Sequence, residues 1–552
     1  MADIPDIPPN DPSHPRWLLD LDEWVIRDYK EIEHEVVRDG YGIISYTWGR
    51  WASWEQVPPD VPKGLQWPVP LVKDLPLGLA KEVVSAMSLR YVWWDWMCVP
   101  QVKEMQEMTP LLEKLLEAKG QEVGKQMYAV LYFALLPFLS IWQSHTDFSY
   151  VLRVIYKGAK RSIVWLHCTR WGTDSPIETL LKDKLPKQNL PEYLDDVDDL
   201  LCKIQKDEPW LTSGWTLQEG VLLSETILLD HEGMTLRDER FLHSQGQASV
   251  IDLTAGLTTF AIRIAKAFMT FSEPNDDGHY DLVVQYIHVS DQNYYRVAHF
   301  LSRLLRSSLI AYTKKTPLYI LAGKFSRKYS AEEDQCWALL GALDLGGFTP
   351  WYEEKPDMDR VKSVFFMNLL QEHQWSMLLV AAEPGIYQKY SPLPWHIKVI
   401  NGYYLPLGIF FDVNWKPNLP ALSWSHPVPR KSQNDAIHIQ TSTGAAFTLL
   451  RVRKDGTALC RTYTQYPARD DKGWIEISSV VRVIPSSSLY FPIADLESTS
   501  NMPGARCIEI IPTKEGTQPA PTGRFNGVIG IWATEGSLEE IQFIKFSMLS
   551  GA

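Results

Sequence analysis

Trp215 and Glu219 stand four residues apart in the run Ser213-Gly214-Trp215-Thr216-Leu217-Gln218-Glu219. On a helix that spacing puts an indole and a carboxylate on one face, about one turn apart. An indole holds a flat aromatic ring, and the carboxylate beside it presents negative charge. The same residues also fit Thr216-x-x-Glu219, a capping box in which the glutamate only starts a helix. Spacing by itself favours that simpler role. Two further stretches set polar atoms where strands should stop. The apolar run Tyr41 to Tyr46 (YGIISY) ends in Ser45, Tyr46, Trp48, Gly49 and Arg50, and Tyr91 to Trp94 (YVWW) ends in Asp95. A carboxylate at a strand end is either functional or a turn former. Cys98 has no histidine near it in sequence and reads as inert packing. His167, directly after SIVWL, reads as a packed or capping histidine rather than a base.

These residues need elements to hold them. Four short β-rich runs, Tyr41 to Tyr46, Tyr91 to Trp94, Ser162 to Leu166 and Thr226 to Leu229, have the brevity and apolar content of doubly buried strands. Helical candidates lie between them at Leu75 to Met87, Val151 to Ala159 and Trp215 to Leu223. The alternation predicts an α/β fold with a parallel sheet and right-handed crossovers, whose ligands bind outside the carboxyl ends of the strands. Ser45 to Arg50, Asp95 to Gln101 and the segment after Leu166 then share one edge.

The 552 residues, 45% hydrophobic and 22% charged, allow two to four domains. We expect an N-terminal extension over 1–38, a sheet domain over 39–250, a helical region over 251–400 and a β-rich domain over 401–552. Two insertions, at about 106–146 and 174–208, interrupt the sheet domain. The second carries the acidic patch PEYLDDVDDL, read as a solvated helix face rather than a cation site.

A net charge of −13 and a pI of about 5.5 argue against a nucleic-acid surface. The six scattered cysteines show neither a C-x-x-C pair nor zinc-site spacing, so no metal is expected and reduced thiols in a cytoplasmic setting are. The acidic, proline-rich start lacks the regions of a secretory signal. The apolar stretch Met127 to Trp142 is too short to span a bilayer and contains Pro137. No P-loop, G-x-G-x-x-G, H-E-x-x-H or G-x-S-x-G occurs at a usable position, which removes the main support for kinase, dehydrogenase, metalloprotease and esterase readings.

Taken in order, the segments resemble the fungal heterokaryon-incompatibility (HET) domain. YGIISYTWG resembles its Y-x-A-L-S-Y-x-W-G opening, YVWWDWMCVPQ its Y-x-W-x-D-x-x-C-I-x-Q block, and WLTSGWTLQE its W-x-x-R-x-W-T-x-Q-E block. The connecting VIYKGAKRSIVWLH is similar to the family's I-Y-x-x-A-x-x-V-x-W-L-G, and YSAEEDQCWALLGAL to its D-x-x-Y-A-L-L-G-L segment downstream. The chain departs from the pattern at Ser213, where arginine is usual, at Val99 for isoleucine and at His167 for glycine. The HET domain is itself similar to the Toll/interleukin receptor (TIR) domain, and Ser213-x-Trp215-x-x-x-Glu219 resembles the S-x-x-W-C-x-x-E helix of that family, with one residue fewer.

The resemblance implies a TIR-like, flavodoxin-like fold and an NAD glycohydrolase that acts as a cell-death effector. NAD or a related nucleotide is then substrate rather than cofactor. Glu219 carries the implied cleavage of the nicotinamide-ribose bond. Ser45, Tyr46, Trp48, Gly49, Arg50, Trp93, Asp95 and Trp215 form the implied substrate pocket, with indoles to stack a base and the Thr47 to Arg50 turn to meet the pyrophosphate. Self-association on activation and a regulatory protein partner are further implied. The competing reading is a non-enzymatic signalling or oligomerisation module in which Glu219 bonds to backbone at a helix start.

Overall fold

The computed structural model describes residues 14–47, 52–54, 60–65, 67–72, 77–85, 87–99, 154–173, 175–182, 190–242, 244–269, 291–329, 331–345, 350–351, 355–378, 414–424, 436–456, 458–463, 469–470, 473–474, 479–483, 487–499, 502–513 and 521–549. The expected insertion at 106–146, with the apolar stretch Met127 to Trp142, lies outside them, as do Trp48, Gly49 and Arg50.

The chain is mixed α/β. Strands β1 (Trp17–Asp20) and β2 (Val25–Asp28) form an antiparallel hairpin. Helix α1 (Tyr29–Asp39) follows at once, its first turn capped by the Asp28 carboxylate and its end released by Gly40 at φ 80°. Next come β3 (Gly42–Ser45), a small separate hairpin of β4 (Ala52–Ser53) and β5 (Leu71–Val72), helix α2 (Leu77–Ser85), β6 (Tyr91–Trp93), helix α3 (Asp95–Cys98), β7 (Arg161–Trp165) and β8 (Ile227–Leu229). The main sheet has the order β2-β1-β6-β3-β7-β8. From β6 to β8 its pairings are parallel, and β1 joins β6 antiparallel.

All four strands expected from the apolar runs are therefore present, within a residue or two. Segment 1–38, set apart by its acidic, proline-rich start, contributes β1 and β2 to the same sheet. WLLD is a fully buried strand, but four residues beside prolines give a weak periodic signal.

Register fixes what each face carries. Ser45 pairs with Val164 and Val164 with Leu228, so these point to one side. Trp165 and Leu229 point to the other. On the Ser45 side lies the site helix, Gly214–Leu222, and beyond it the helical region. Leu217 and Val221 of the site helix share one buried core with Leu301, Ile310 and Ile320, and that core continues to Ile437 and Phe491. A chain cut near residue 250 would open this core.

The acidic helix Leu190–Asp207 is not simply solvated. Asp198 is buried and paired with Arg303 at 2.9 Å, and Asp195 meets Arg296 at 3.1 Å. Its acidic face is matched by the basic face of helix Asp291–Arg306, a pairing between distant segments that local charge counting misses. The C-terminal region is β-rich: among the described residues it forms an eleven-stranded sheet that is antiparallel except where Thr522–Ala533 meets Lys545–Leu549. Among the described residues, no helix is long and apolar enough to cross a membrane.

Candidate functional site

The site helix begins at Gly214 with Ser213 as its N-cap residue, so Glu219 is its sixth residue and cannot cap its start. The capping box expected as the simpler role of Thr216 and Glu219 is not formed. Thr216 Oγ1 instead donates back to the Ser213 carbonyl at 3.0 Å and to the Trp210 carbonyl. Its first amide is served from outside, Gly214 N donating to the Lys328 carbonyl at 3.0 Å.

Glu219 turns to the sheet. Ser45 Oγ donates to its carboxylate, and the Tyr156 hydroxyl donates as well. The Trp210 indole N–H donates to Ser45 Oγ at 2.7 Å, which completes a relay from indole to serine to carboxylate. Burial pushes the Glu219 carboxyl up to about 7, and the Asp95 carboxylate pushes the same way, against the hydrogen bonds from Ser45 and Tyr156 and the positive charge of Arg327. The same burial, with Glu219 and Asp95 nearby, holds the Tyr156 phenol well above its ordinary value. Two carboxylates thus share a partly dehydrated site, one of them poised between charged and neutral near neutrality.

Access follows from helix periodicity. Gly214, Thr216, Leu217, Gln218, Gly220 and Val221 are buried, whereas Trp215, Glu219 and Leu222 are only partly covered. That spacing of four and then three makes a single stripe, with Trp215 one turn from Glu219 as expected. Asp95, the first residue of α3, is also only partly covered, and its carboxylate accepts from the Trp96 amide at 2.8 Å.

The chain matches no family model, no curated protein and no solved structure.

Among the described residues, those singled out from the sequence for the pocket separate into three groups. Glu219, Ser45 and Asp95 are brought together, with Trp215 on the same helix stripe as Glu219. Trp93 lies on their side of the sheet but is buried, edge-on to the Tyr156 ring at 5.7 Å, so it is a wall behind Tyr156 rather than an open surface. Tyr46, one residue on from Ser45, is turned to the opposite face. Its hydroxyl meets His167 Nδ1 at 2.6 Å and its ring lies against Trp165. His167 is buried, as a packed histidine should be. Burial also pushes the Cys98 thiol up to about 12, which keeps it an inert, protonated core group.

Sequence reasoning passed over Tyr156, Trp210 and Arg327. Tyr156 lies in the helical segment 154–158 just before β7, and its signal is a polar-tipped aromatic directly after the apolar pair Val154-Ile155. Trp210 stands five residues before Trp215 inside a block already quoted. Arg327 is more than a hundred residues from the site in the chain, and nothing local announces it.

Proposed function

We propose that this chain cleaves the bond between nicotinamide and ribose in NAD, with Glu219 as the carboxylate that faces the reacting sugar. The observation that carries the reading is the direction of the Glu219 side chain: its carboxylate takes no part in capping the helix start and converges with Ser45, Tyr156 and Asp95 at the strand ends, on the partly open stripe with Trp215. In the reaction the C1′–N bond breaks and its electron pair goes to the pyridinium nitrogen. Nicotinamide therefore departs neutral, and the general acid that ordinary glycosides require is unnecessary. Water then bonds to C1′ and releases a proton to solvent, giving ADP-ribose. Ionised Glu219 stabilises the cationic sugar between these events, an electrostatic role that partial dehydration strengthens. Trp215 offers the stacking surface, and Asp95 holds a ribose hydroxyl.

In this reading the parallel sheet is TIR-like, and the chain is a cytoplasmic effector of the HET type whose NAD consumption kills the cell. Assembly into oligomers activates it. The roles given to Trp48, Gly49 and Arg50 belong to the same proposal.

One observation favours the alternative of a binding or oligomerisation module: Ser45, Tyr46 and Trp93 are all buried, and the hydroxyls of the first two are engaged by protein groups. Turnover decides between them. Nicotinamide release from NAD by the full-length chain, lost in a folded Glu219→Ala variant, supports the enzyme. Silence of the wild type at every concentration, even when clustered by a fused oligomeriser, would sink it.

A further inference from the structure

Arg327 is a buried arginine that follows a short 3-10 turn of the helical region. Its guanidinium reaches across to the start of the site helix. Nη1 donates to the Trp210 carbonyl at 2.9 Å, the Ser213 carbonyl at 3.0 Å and Thr216 Oγ1 at 3.0 Å. On its other side Nε donates to Ser308 Oγ at 3.0 Å and Nη2 to Ser308 Oγ at 2.5 Å and to the Tyr312 hydroxyl. Ser308 has φ 68°, a left-handed conformation that a serine adopts only when its surroundings impose it.

The backbone around Arg327 is committed to the same contact. Lys328 N donates to the Thr212 carbonyl at 2.7 Å while the Lys328 carbonyl accepts from Gly214 N, so residues 212–214 and 328 form a two-way bridge. Tyr329 lies so close over Gly214 that a Cβ there would fall 2.0 Å from its ring. Among the described residues, every hydrogen-bond acceptor of the guanidinium is an uncharged oxygen, so its buried positive charge is balanced through space. The anion it acts on is Glu219, whose carboxylate it favours.

We propose that Arg327 is a positioning residue for Glu219: from the helical region it pins the first turn of the site helix, and its positive charge favours the ionised glutamate against burial and Asp95. The helical region is thereby part of the active site's machinery, and any event that withdraws Arg327 loosens the start of the site helix and moves Glu219 further toward its neutral form. This rests on the reading of Glu219 as the reacting carboxylate. Among the described residues, the charged and titratable groups that face Glu219 are Asp95 from α3, Tyr156 from the helical turn before β7, and Tyr312 and Arg327 from the helical region. Arg327 alone among them favours the anion by its own charge.

The test needs no substrate. Unfolding free energy of the full-length chain is followed from pH 5 to pH 10 for wild type and Glu219→Gln, and the difference between the two curves isolates the titration of Glu219. The pair is then repeated in Arg327→Gln and Arg327→Lys backgrounds. The expected result is a midpoint that rises by roughly half a unit to one unit in Arg327→Gln and by less in Arg327→Lys, which keeps the charge but not the fork. The lysine background serves alone if the glutamine one does not fold. A midpoint that stays at its wild-type position in every background that folds would overturn the proposal. Because no NAD is involved, that failure is distinct from failure of the glycohydrolase reading, which nicotinamide release addresses.

Discussion

Ser45 and Glu219, 174 residues apart in the chain, share a hydrogen bond, and the Trp210 indole closes the other side of the same serine hydroxyl. One small side chain thus joins the end of β3, the approach to the site helix and the carboxylate. Ser45→Ala removes a donor from Glu219 and leaves the buried Trp210 N–H without a partner. We expect a loss of about 1–3 kcal/mol in urea unfolding and a further upward shift of the Glu219 titration. Wild-type stability in the alanine variant would show that the relay does not bear on the fold.

Glu219 gives the fold a pH dependence of known sign. Its carboxyl, raised from 4.5 to about 7, binds a proton more readily folded than unfolded. Its contribution to stability is therefore full below pH 4.5 and is lost as pH rises through about 7. Glu219→Gln should remove this slope and gain up to about 3 kcal/mol over wild type at pH 8. Denaturant titrations at pH 5 and pH 8 check it; equal gains at both values would contradict the shift.

The site helix is packed without room to spare. A methyl group at Gly220 would come within 2.4 Å of the Tyr312 ring, and one at Gly214 within 2.0 Å of Tyr329. Each glycine-to-alanine change should cost about 1–3 kcal/mol by overpacking. Tyr329→Ala should relieve much of the Gly214→Ala penalty while leaving that of Gly220→Ala intact, a specificity that a double-mutant cycle reads directly.

Glu208 organises the loop beyond β7. Its carboxylate accepts from the amides of His167, Cys168 and Thr169 at 3.0, 3.1 and 3.1 Å and from the Thr169 hydroxyl at 2.8 Å. Glu208→Ala strands these donors and should destabilise the chain by about 3 kcal/mol or more, with Glu208→Gln costing less because one acceptor survives. Thermal unfolding of the two variants in parallel tests the order.

How far the site was legible depends on how far its parts lie apart. The strands were visible because short runs such as YGIISY and SIVWL have no other stable fate than burial on both faces. Trp215 and Glu219 were visible because helix spacing is local. The choice between capping and site was not, since it turns on whether the helix begins at Gly214, and that is set by the Lys328 carbonyl and Arg327 from another region. Tyr46 illustrates the opposite error: it stood beside Ser45 in sequence, yet strand alternation sends the two side chains to opposite faces. Asp198 was read as solvated because its partner Arg303 is far along the chain.

The most direct test of the central claim is the pH dependence of nicotinamide release from NAD by the full-length protein, beside Glu219→Gln shown to be folded. The account predicts release that rises with pH through an inflection near 7, following ionisation of Glu219, and a variant at least a hundredfold slower on the scale of a lost charge-stabilising group. Release that proceeds undiminished in Glu219→Gln would contradict it.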